Sequence, residues 1–318
     1  MKCLCCAKPI TNASSEEERT SWHTRCVKRF FGTNTLPKID LNEETLEKMA
    51  NEIASKGLTV AGVQKKLSLH LSQDVESRLT IVDYPSGYIL KPQTKEFPYL
   101  PEYEDVTMRM AEIAGIQTVP HALIMYEGVY AYITKRIDRD IHNGKFAQYA
   151  MEDFCQLANR LTRDKYKGSY EKCARIIKKY SSRKGFDLSE LFMRIVFSYI
   201  VGNSDMHFKN FSMIETKPAN RKFVLSRAYD FLPVNVILPE DTDEMALVLN
   251  RKKKNLTRKD FFCLADYCDI KKNAAEKMIQ NILSKESKFI ECINGSKLNS
   301  ECQEKLIVLM QKRIETIR

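Results

Sequence analysis

Between Val201 and Ile214 the chain reads VGNSDMHFKNFSMI, so that Asn203, Asp205, His207, Lys209 and Asn210 crowd between two apolar runs. An unpaired polar group in a core costs about 1–3 kcal/mol. Such a cluster is therefore either a surface loop or a site. Asp205 and Asn210 stand in the spacing D-x-x-x-x-N. At that spacing a phosphoryl-transfer loop sets a carboxylate to receive a hydroxyl proton and an amide oxygen to hold a metal. Lys209 beside them could neutralise charge on the transferred group. A second carboxylate, Asp230 in AYDF, follows a β-type segment, where the other oxygen ligand for Mg²⁺ would be needed.

Two features upstream could serve the same chemistry. In VAGVQKKLSL, Gly62 lies just before an alternating strand, where backbone N–H groups can approach phosphates; an ordinary turn is the alternative. YILKP ends a strand in Lys91, placed like a phosphate-pairing lysine, or else a solvated charge.

A third cluster has different chemistry. Cys3 and Cys6 form C-x-x-C, and His23 and Cys26 form H-x-x-C. Two close pairs of such ligands suit a closed tetrahedral zinc site. Residues 1–33 have little core of their own, so a metal would be their main stabiliser; the alternative is a flexible tail with free thiols. Cys5 is the spare thiol. The other cysteines are scattered over expected helices, which speaks against a disulfide framework and for a reducing compartment.

The elements that must position these residues can be read from periodicity. Asn42 to Gly57 reads as a helix capped by Asn42. KLSLHL, RLTIVDY and GYILK read as strands, with His70 turned outward. Tyr103 to Gly115 reads as a helix, and ALIMYEGVYAYIT as a hairpin turning at Glu127-Gly128. From Phe146 the helical period dominates, in YAMEDFCQLANRL, YEKCARIIKKY, LSELFMRIVFSYIVG, RKDFFCLADYC and EKLIVLMQKRIETI, interrupted by a β-type run from Lys222 to Val234. The expectation is an α+β protein with a small β-rich lobe over residues 34–140 and a larger, mostly helical lobe over 141–318.

The 318 residues suffice for two such lobes. The longest apolar run, Leu191 to Val201, is too short to span a bilayer and carries Arg194. The N-terminus has no signal-peptide core, so the expected location is the cytoplasm. The net charge of +10 suits an anionic partner. Asn250 to Lys259, NRKKKNLTRK, is the candidate basic patch, with a solvated approach to a helix as the plainer reading.

Taken together, VAGVQKKLSL, YILKP, TKRIDRD, EDFCQ, GNSDMHFKNFS and AYDFLPV resemble, in order and rough spacing, the HipA family. Its members are serine/threonine kinases that form the toxin component of bacterial type II toxin–antitoxin systems. The resemblance runs from about residue 59 to 234, and more weakly through MALVLNRKKKNLTRKDF. It implies a two-lobed kinase fold with an ATP site. Ala61, Gly62, Val63, Gln64, Lys65 and Lys66 match the loop over the phosphates, and Lys91 the lysine that contacts them, with Glu104 as its possible pair. Lys135, Arg136 and Ile137 match the segment beside adenine, usually Glu-Arg-Phe, so a Glu side-chain role is lost. Asp205 matches the catalytic base. His207, Phe208, Lys209 and Asn210 match nucleotide and metal contacts, and Tyr229 with Asp230 the second metal position. Thr59 stands where the family commonly has an autophosphorylated serine.

Longer members carry an additional N-terminal subdomain of about a hundred residues that contacts the antitoxin. This sequence reads as a shortened form in which that subdomain is a separate protein or absent. The implied substrate is a translation component such as an aminoacyl-tRNA synthetase. The implied partner is an antitoxin, through which DNA association would be indirect. A small-molecule kinase, or a DNA-bound regulator retaining an ATP-binding fold, are the alternatives.

Overall fold

The computed structural model describes residues 1–40, 66–72, 77–80, 87–142 and 145–318. The expected helix from Asn42 to Gly57, Thr59, the loop residues Ala61, Gly62, Val63, Gln64 and Lys65, and the latter part of RLTIVDY lie outside the described residues. The chain divides into two compact units, one comprising Met1–Asp105 and Val119–Ile137, the other Val106–Thr118 and Asp138–Arg318.

The first unit begins with two short helices, α1 (Ser15–Thr20) and α2 (Thr24–Phe31). Its strands are β1 (Lys38–Asp40), β2 (Leu67–Ser72), β3 (Arg78–Thr80), β4 (Tyr88–Lys91), β5 (His121–Tyr126) and β6 (Val129–Lys135), in the sheet order β1-β3-β2-β4-β6-β5. The alternation in LSL does what period two requires: Leu67 and Leu69 are buried and Ser68 is exposed. Register sets Leu67 opposite Leu90 and Leu90 opposite Ile133. These side chains share one core with Trp22, Val27, Phe30 and Phe31 from the Cys-rich segment. Residues 1–33 are thus packed on the sheet and are not a tail. The β5–β6 turn falls at Glu127-Gly128 as expected, both with positive φ (50° and 80°), the conformation that matches strand twist in a two-residue hairpin.

Strand β5 ends the sheet order. An edge strand presents unpaired backbone groups, and here the Cys-rich segment takes those of Leu123. The Leu123 N–H donates to Leu4 O (3.2 Å) and the Trp22 indole N–H donates to Leu123 O (3.1 Å).

Helix α3 (Leu100–Ile113) carries the division between the units, which falls after Asp105. The second unit then has a hairpin, β7 (Arg139–His142) and β8 (Lys145–Gln148), and a three-stranded sheet of β9 (Met151–Asp153), β10 (Ser212–Glu215) and β11 (Phe223–Leu225). Its described helices include α4 (Phe154–Leu157), α5 (Tyr170–Tyr180), α6 (Lys184–Val201), α7 (Val234–Ile237), α8 (Arg258–Tyr267), α9 (Lys272–Leu283), α10 (Glu286–Asn294) and α11 (Ser300–Ile317). The expected helix over YAMEDFCQLANRL is corrected: Met151–Asp153 is a strand, followed by a single helical turn. The reason is Asp153, whose side chain accepts from Gln156 N while the Gln156 side chain accepts from Asp153 N, a capping box that starts a new helix there. Asn159, at φ 52°, then turns the chain away.

Helix α6 is buried along most of its length, including Leu191, Ile195, Val196 and Ile200. It stops at Gly202, whose φ of 71° is left-handed and where an added Cβ would collide with Leu309 of α11. Both demands select glycine, and the polar stretch begins at the next residue. Among the described residues, no helix is long and apolar enough to cross a membrane.

Trp22 is 1% exposed, packs edge-on to Phe30 and caps the sheet edge. Trp22→Ala is expected to lower unfolding stability by about 3–5 kcal/mol, read from urea denaturation followed by circular dichroism. A loss under 1 kcal/mol would mean that the segment does not anchor the sheet.

Candidate active site and metal centre

The polar stretch after Gly202 is mostly buried and largely hydrogen-bonded, so it is not an exposed surface loop. Asn203, His207 and Asn210 are 0%, 4% and 6% exposed. Asn203 Oδ1 accepts from Asp205 N (3.2 Å), and Asp205 O accepts from His207 N (2.8 Å) and from Asn210 Nδ2 (2.9 Å). The amide of Asn210 is therefore oriented by its nitrogen, with the oxygen as the remaining donor atom. Phe208, expected among the nucleotide contacts, is fully buried, and its ring lies below Arg160 at 5.4 Å. Its backbone is engaged too, the N–H donating to Lys165 O (3.3 Å), so Phe208 is not the nucleotide contact that was expected.

Asp205 itself accepts a hydrogen bond at Oδ1 from the Tyr166 hydroxyl. The Tyr166 ring stands edge-on to His207, 5.0 Å between centroids. Burial, and then the Asp205 charge, push the Tyr166 hydroxyl well above its ordinary range, so it stays a proton donor. Lys209 pairs with Asp153 (2.8 Å). The sheet arranges that pair, because β9 sets Asp153 opposite Ser212 of β10.

The segment bearing Asp230 is tied to the same loop through its neighbour. Tyr229 donates from its hydroxyl to Lys209 O (3.1 Å) and therefore accepts from Ser212 Oγ (2.6 Å). Burial raises the Tyr229 hydroxyl out of the range where it would ionise. Asp230 is left-handed, φ 63°, a conformation that Asp tolerates better than most residues and that clusters at functional sites. Upstream, buried charges of α6 fix the strand leading to it. Asp187 accepts from Leu225 N (2.7 Å) and from Ser181 Oγ (2.7 Å), and Arg194 donates to Ser226 O (2.8 Å) and to Glu190.

In the first unit, Lys91 forms a buried ion pair with Glu104 and lies 5.3 Å above the Tyr132 ring. At 4% and 0% exposed, neither is a solvated charge. Beside them His121 faces Asp105 (3.4 Å). Burial raises Glu102 to about 7, with the Asp105 charge adding to it. Lys66 is exposed at the start of β2. The backbone N–H groups of Lys135 and Arg136 donate to Pro120 O and Gly87 O, so those two donors are already engaged beside Ile137.

Cys3, Cys6, His23 and Cys26 bring their ligand atoms within 4.8 Å of one another. His23 is oriented for ligation. Its Nε2 contacts Pro9 O (3.1 Å), which can only accept, so that nitrogen carries the proton. The unprotonated Nδ1 then faces the thiols of Cys6 (3.4 Å) and Cys26 (3.8 Å). Burial opposes ionisation of Cys6, yet hydrogen bonds led by that from Lys8 bring its thiol down to about 7. Burial and the neighbouring cysteines push Cys26 up: crowded thiols resist joint ionisation unless a cation sits among them. Cys5 is buried outside this set, 4.0 Å from Arg29 Nη2.

The candidate basic patch is partly paired. Lys252 pairs with Asp260 (3.1 Å), and Lys253 and Lys254 with Asp243 (3.5 Å each). The residues that sequence reasoning missed are Tyr166, Asp153 and Ser212. Asp153 had a signal in the D-x-x-Q capping pattern; Tyr166 had none, because its contact joins residues 39 apart.

The comparisons fall in with this geometry. A Haemophilus influenzae protein named "Putative kinase" is 30% identical over 194 residues, covering 57% of this chain and 54% of that protein. "Putative kinase Y4dM" of Sinorhizobium fredii is 31% identical over 211 residues, covering 62% of this chain and 49% of the relative. The chain spans about half the length of the curated relatives it matches. Among solved structures, HipA of Shewanella oneidensis, in complex with HipB and operator DNA, gives a TM-score of 0.71 at 18% identity, covering 85% of this chain and 70% of that one. The Helicobacter pylori proinflammatory kinase CtkA gives 0.51 at 15% identity, covering 74% and 89%. These likenesses show the α+β fold. Residues 58–288 match the family described as HipA-like C-terminal domain, and the chain belongs to that family.

Proposed function

We propose that the chain is an ATP- and Mg²⁺-dependent protein serine/threonine kinase. The observation that carries this reading is the buried loop in which Asp205 is held through both its backbone and its carboxylate, with Asn210 fastened to it five residues on. Asp205 would receive the proton of the acceptor hydroxyl. Lys91, steadied by Glu104, would meet the phosphates of ATP together with Ala61 to Lys66. Lys135, Arg136 and Ile137 would lie beside adenine, and His207 and Lys209 would border the nucleotide, Lys209 being held by Asp153. Asn210 and Asp230 offer the oxygen donors that suit Mg²⁺, with Tyr229 fixing Asp230. When bound, Mg²⁺ supplies positive charge between the phosphates.

The acceptor class we propose is a protein of the translation machinery, such as an aminoacyl-tRNA synthetase. An antitoxin is the proposed partner, with DNA association through it; the S. oneidensis neighbour is in complex with HipB and operator DNA. We further propose that the Cys3, Cys6, His23 and Cys26 cluster holds a structural zinc ion, on the support of its donor set and the His23 orientation.

Three outcomes are expected. Asp205→Asn should reduce γ-phosphate transfer from ATP onto proteins of a translation extract by about 10²–10⁴-fold, and Asp230→Asn should do the same, both with unchanged melting. Near wild-type transfer by Asp205→Asn would refute the assignment. Protein purified without added metal should contain stoichiometric zinc by elemental analysis, and Cys26→Ser should lose it; a metal-free, fully folded N-terminal segment would defeat the zinc reading. Finally, Thr59 should carry phosphate after incubation with ATP in the wild type and not in Asp205→Asn. A phosphate adds a charge of about −1.5 to −2 beside the place proposed for ATP's own phosphates, so the modified protein should bind ATP more weakly. Mass spectrometry with an ATP-binding titration checks both; an active enzyme with unmodified Thr59 would place any such switch elsewhere.

A further inference from the structure

The catalytic loop is braced by a segment that the sequence left unremarked, Lys165 to Tyr170. Lys165 O accepts from Phe208 N (3.3 Å), and the Tyr170 hydroxyl donates to Met206 O (3.0 Å). Between them the backbone of Gly168 lies so close to the Phe208 ring that an added Cβ would collide with it. The far side of the segment is stitched down as well: Val248 N donates to Gly168 O (3.1 Å) and Tyr170 N donates to Val248 O (3.0 Å). From this fixed backbone the Tyr166 hydroxyl reaches Asp205 Oδ1, with its ring edge against His207 and the Lys165 ammonium 4.9 Å above it.

We propose that Tyr166 is the positioning residue for the phosphoryl-transfer base, holding the Asp205 carboxylate in the one orientation from which it can take the acceptor's proton. This rests on the kinase reading above. Two arrangements could explain a tyrosine hydroxyl on a catalytic carboxylate: a gate that swings away, or a strut. A gate needs a hinge. The segment is instead pinned on both faces, at Lys165, Gly168 and Tyr170, so the hydroxyl is delivered by a rigid frame.

In the step served, the acceptor oxygen bonds to the γ-phosphorus while its proton passes to Asp205. The bond from the γ-phosphorus to the bridging oxygen breaks, and its electron pair leaves with ADP. Tyr166 keeps its own proton throughout and donates nothing to the products. What it supplies is alignment, and misplacement by about 1 Å at such a step can cost about 10²-fold in rate.

The test is Tyr166→Phe, which removes the hydroxyl and leaves the ring against His207. It is compared with the wild type and Asp205→Asn in γ-phosphate transfer onto proteins of a translation extract. The expected result is a fall of about 10–100-fold in the rate at saturating ATP, with the half-saturating ATP concentration and the melting midpoint unchanged. A merely structural role would move the midpoint or the ATP requirement, and either change accounting for the loss overturns the proposal, as does failure to fold. A Tyr166→Phe rate within twofold of wild type, with Asp205→Asn inactive, overturns the proposal and leaves the kinase reading standing. Absence of transfer by the wild type overturns both.

Discussion

An apolar helix that ends inside a protein has to hand its chain to backbone that can no longer hydrogen-bond to itself, and most of the second unit answers that constraint. Helix α6 stops at a left-handed Gly202, and the next residues are polar and buried. An unpaired group there weakens the fold, and the loop bonds largely within itself: Asn203 Oδ1 accepts from the Asp205 amide, and the Asp205 carbonyl accepts from Asn210 Nδ2 and from the His207 backbone N–H. Satisfying the loop's own hydrogen bonds is what gives it a defined shape. A loop shaped by necessity can hold a carboxylate still.

The same helix reaches sideways to the strand that leads to Asp230. Asp187 and Arg194 are buried ionisable groups that spend their hydrogen bonds on backbone atoms at Leu225 and Ser226. Burying such groups is weak evidence of stability in its own right. Their value here lies in location, since they fix where the β10–β11 hairpin ends and Asp230 begins. The Lys91–Glu104 pair has the same character in the first unit: two charges almost wholly withdrawn from water, worth little as glue and much as a way of aiming an ammonium group.

The spacing of the candidate site residues was legible in the sequence because it is local. Asp205 with Asn210, Cys3 with Cys6 and His23 with Cys26 each sit within a few residues, and the hairpin at Glu127-Gly128 announces itself by its turn. Strand β4 ending in Lys91 was equally plain. What escaped was built by tertiary contact. Tyr166 reaches Asp205 from a separate segment, and Lys209 finds Asp153 only because β9 pairs with β10. The YAMEDFCQLANRL run misled for a related reason. Its apolar spacing suits a helix, but the capping box at Asp153 and the pairing of Met151–Asp153 with β10 outweigh that preference. Nor could composition show that Lys252 would pair with Asp260 while Lys253 and Lys254 share Asp243.

The cap on strand β5 has a consequence for the order in which the protein is made. Its Cys3, Cys6, His23 and Cys26 cluster is complete once residue 26 has left the ribosome, yet the indole of Trp22 must wait for Leu123, 101 residues later. Local contacts of that kind form early and long-range sheet pairing forms late. The segment would therefore stand ready, its hydrophobic face uncovered, through the synthesis of most of the sheet it will close. On the zinc proposal, a cell short of the metal would meet the difficulty during translation, as a nascent sheet with no finished partner for its last strand, well before any shortage showed in the mature protein.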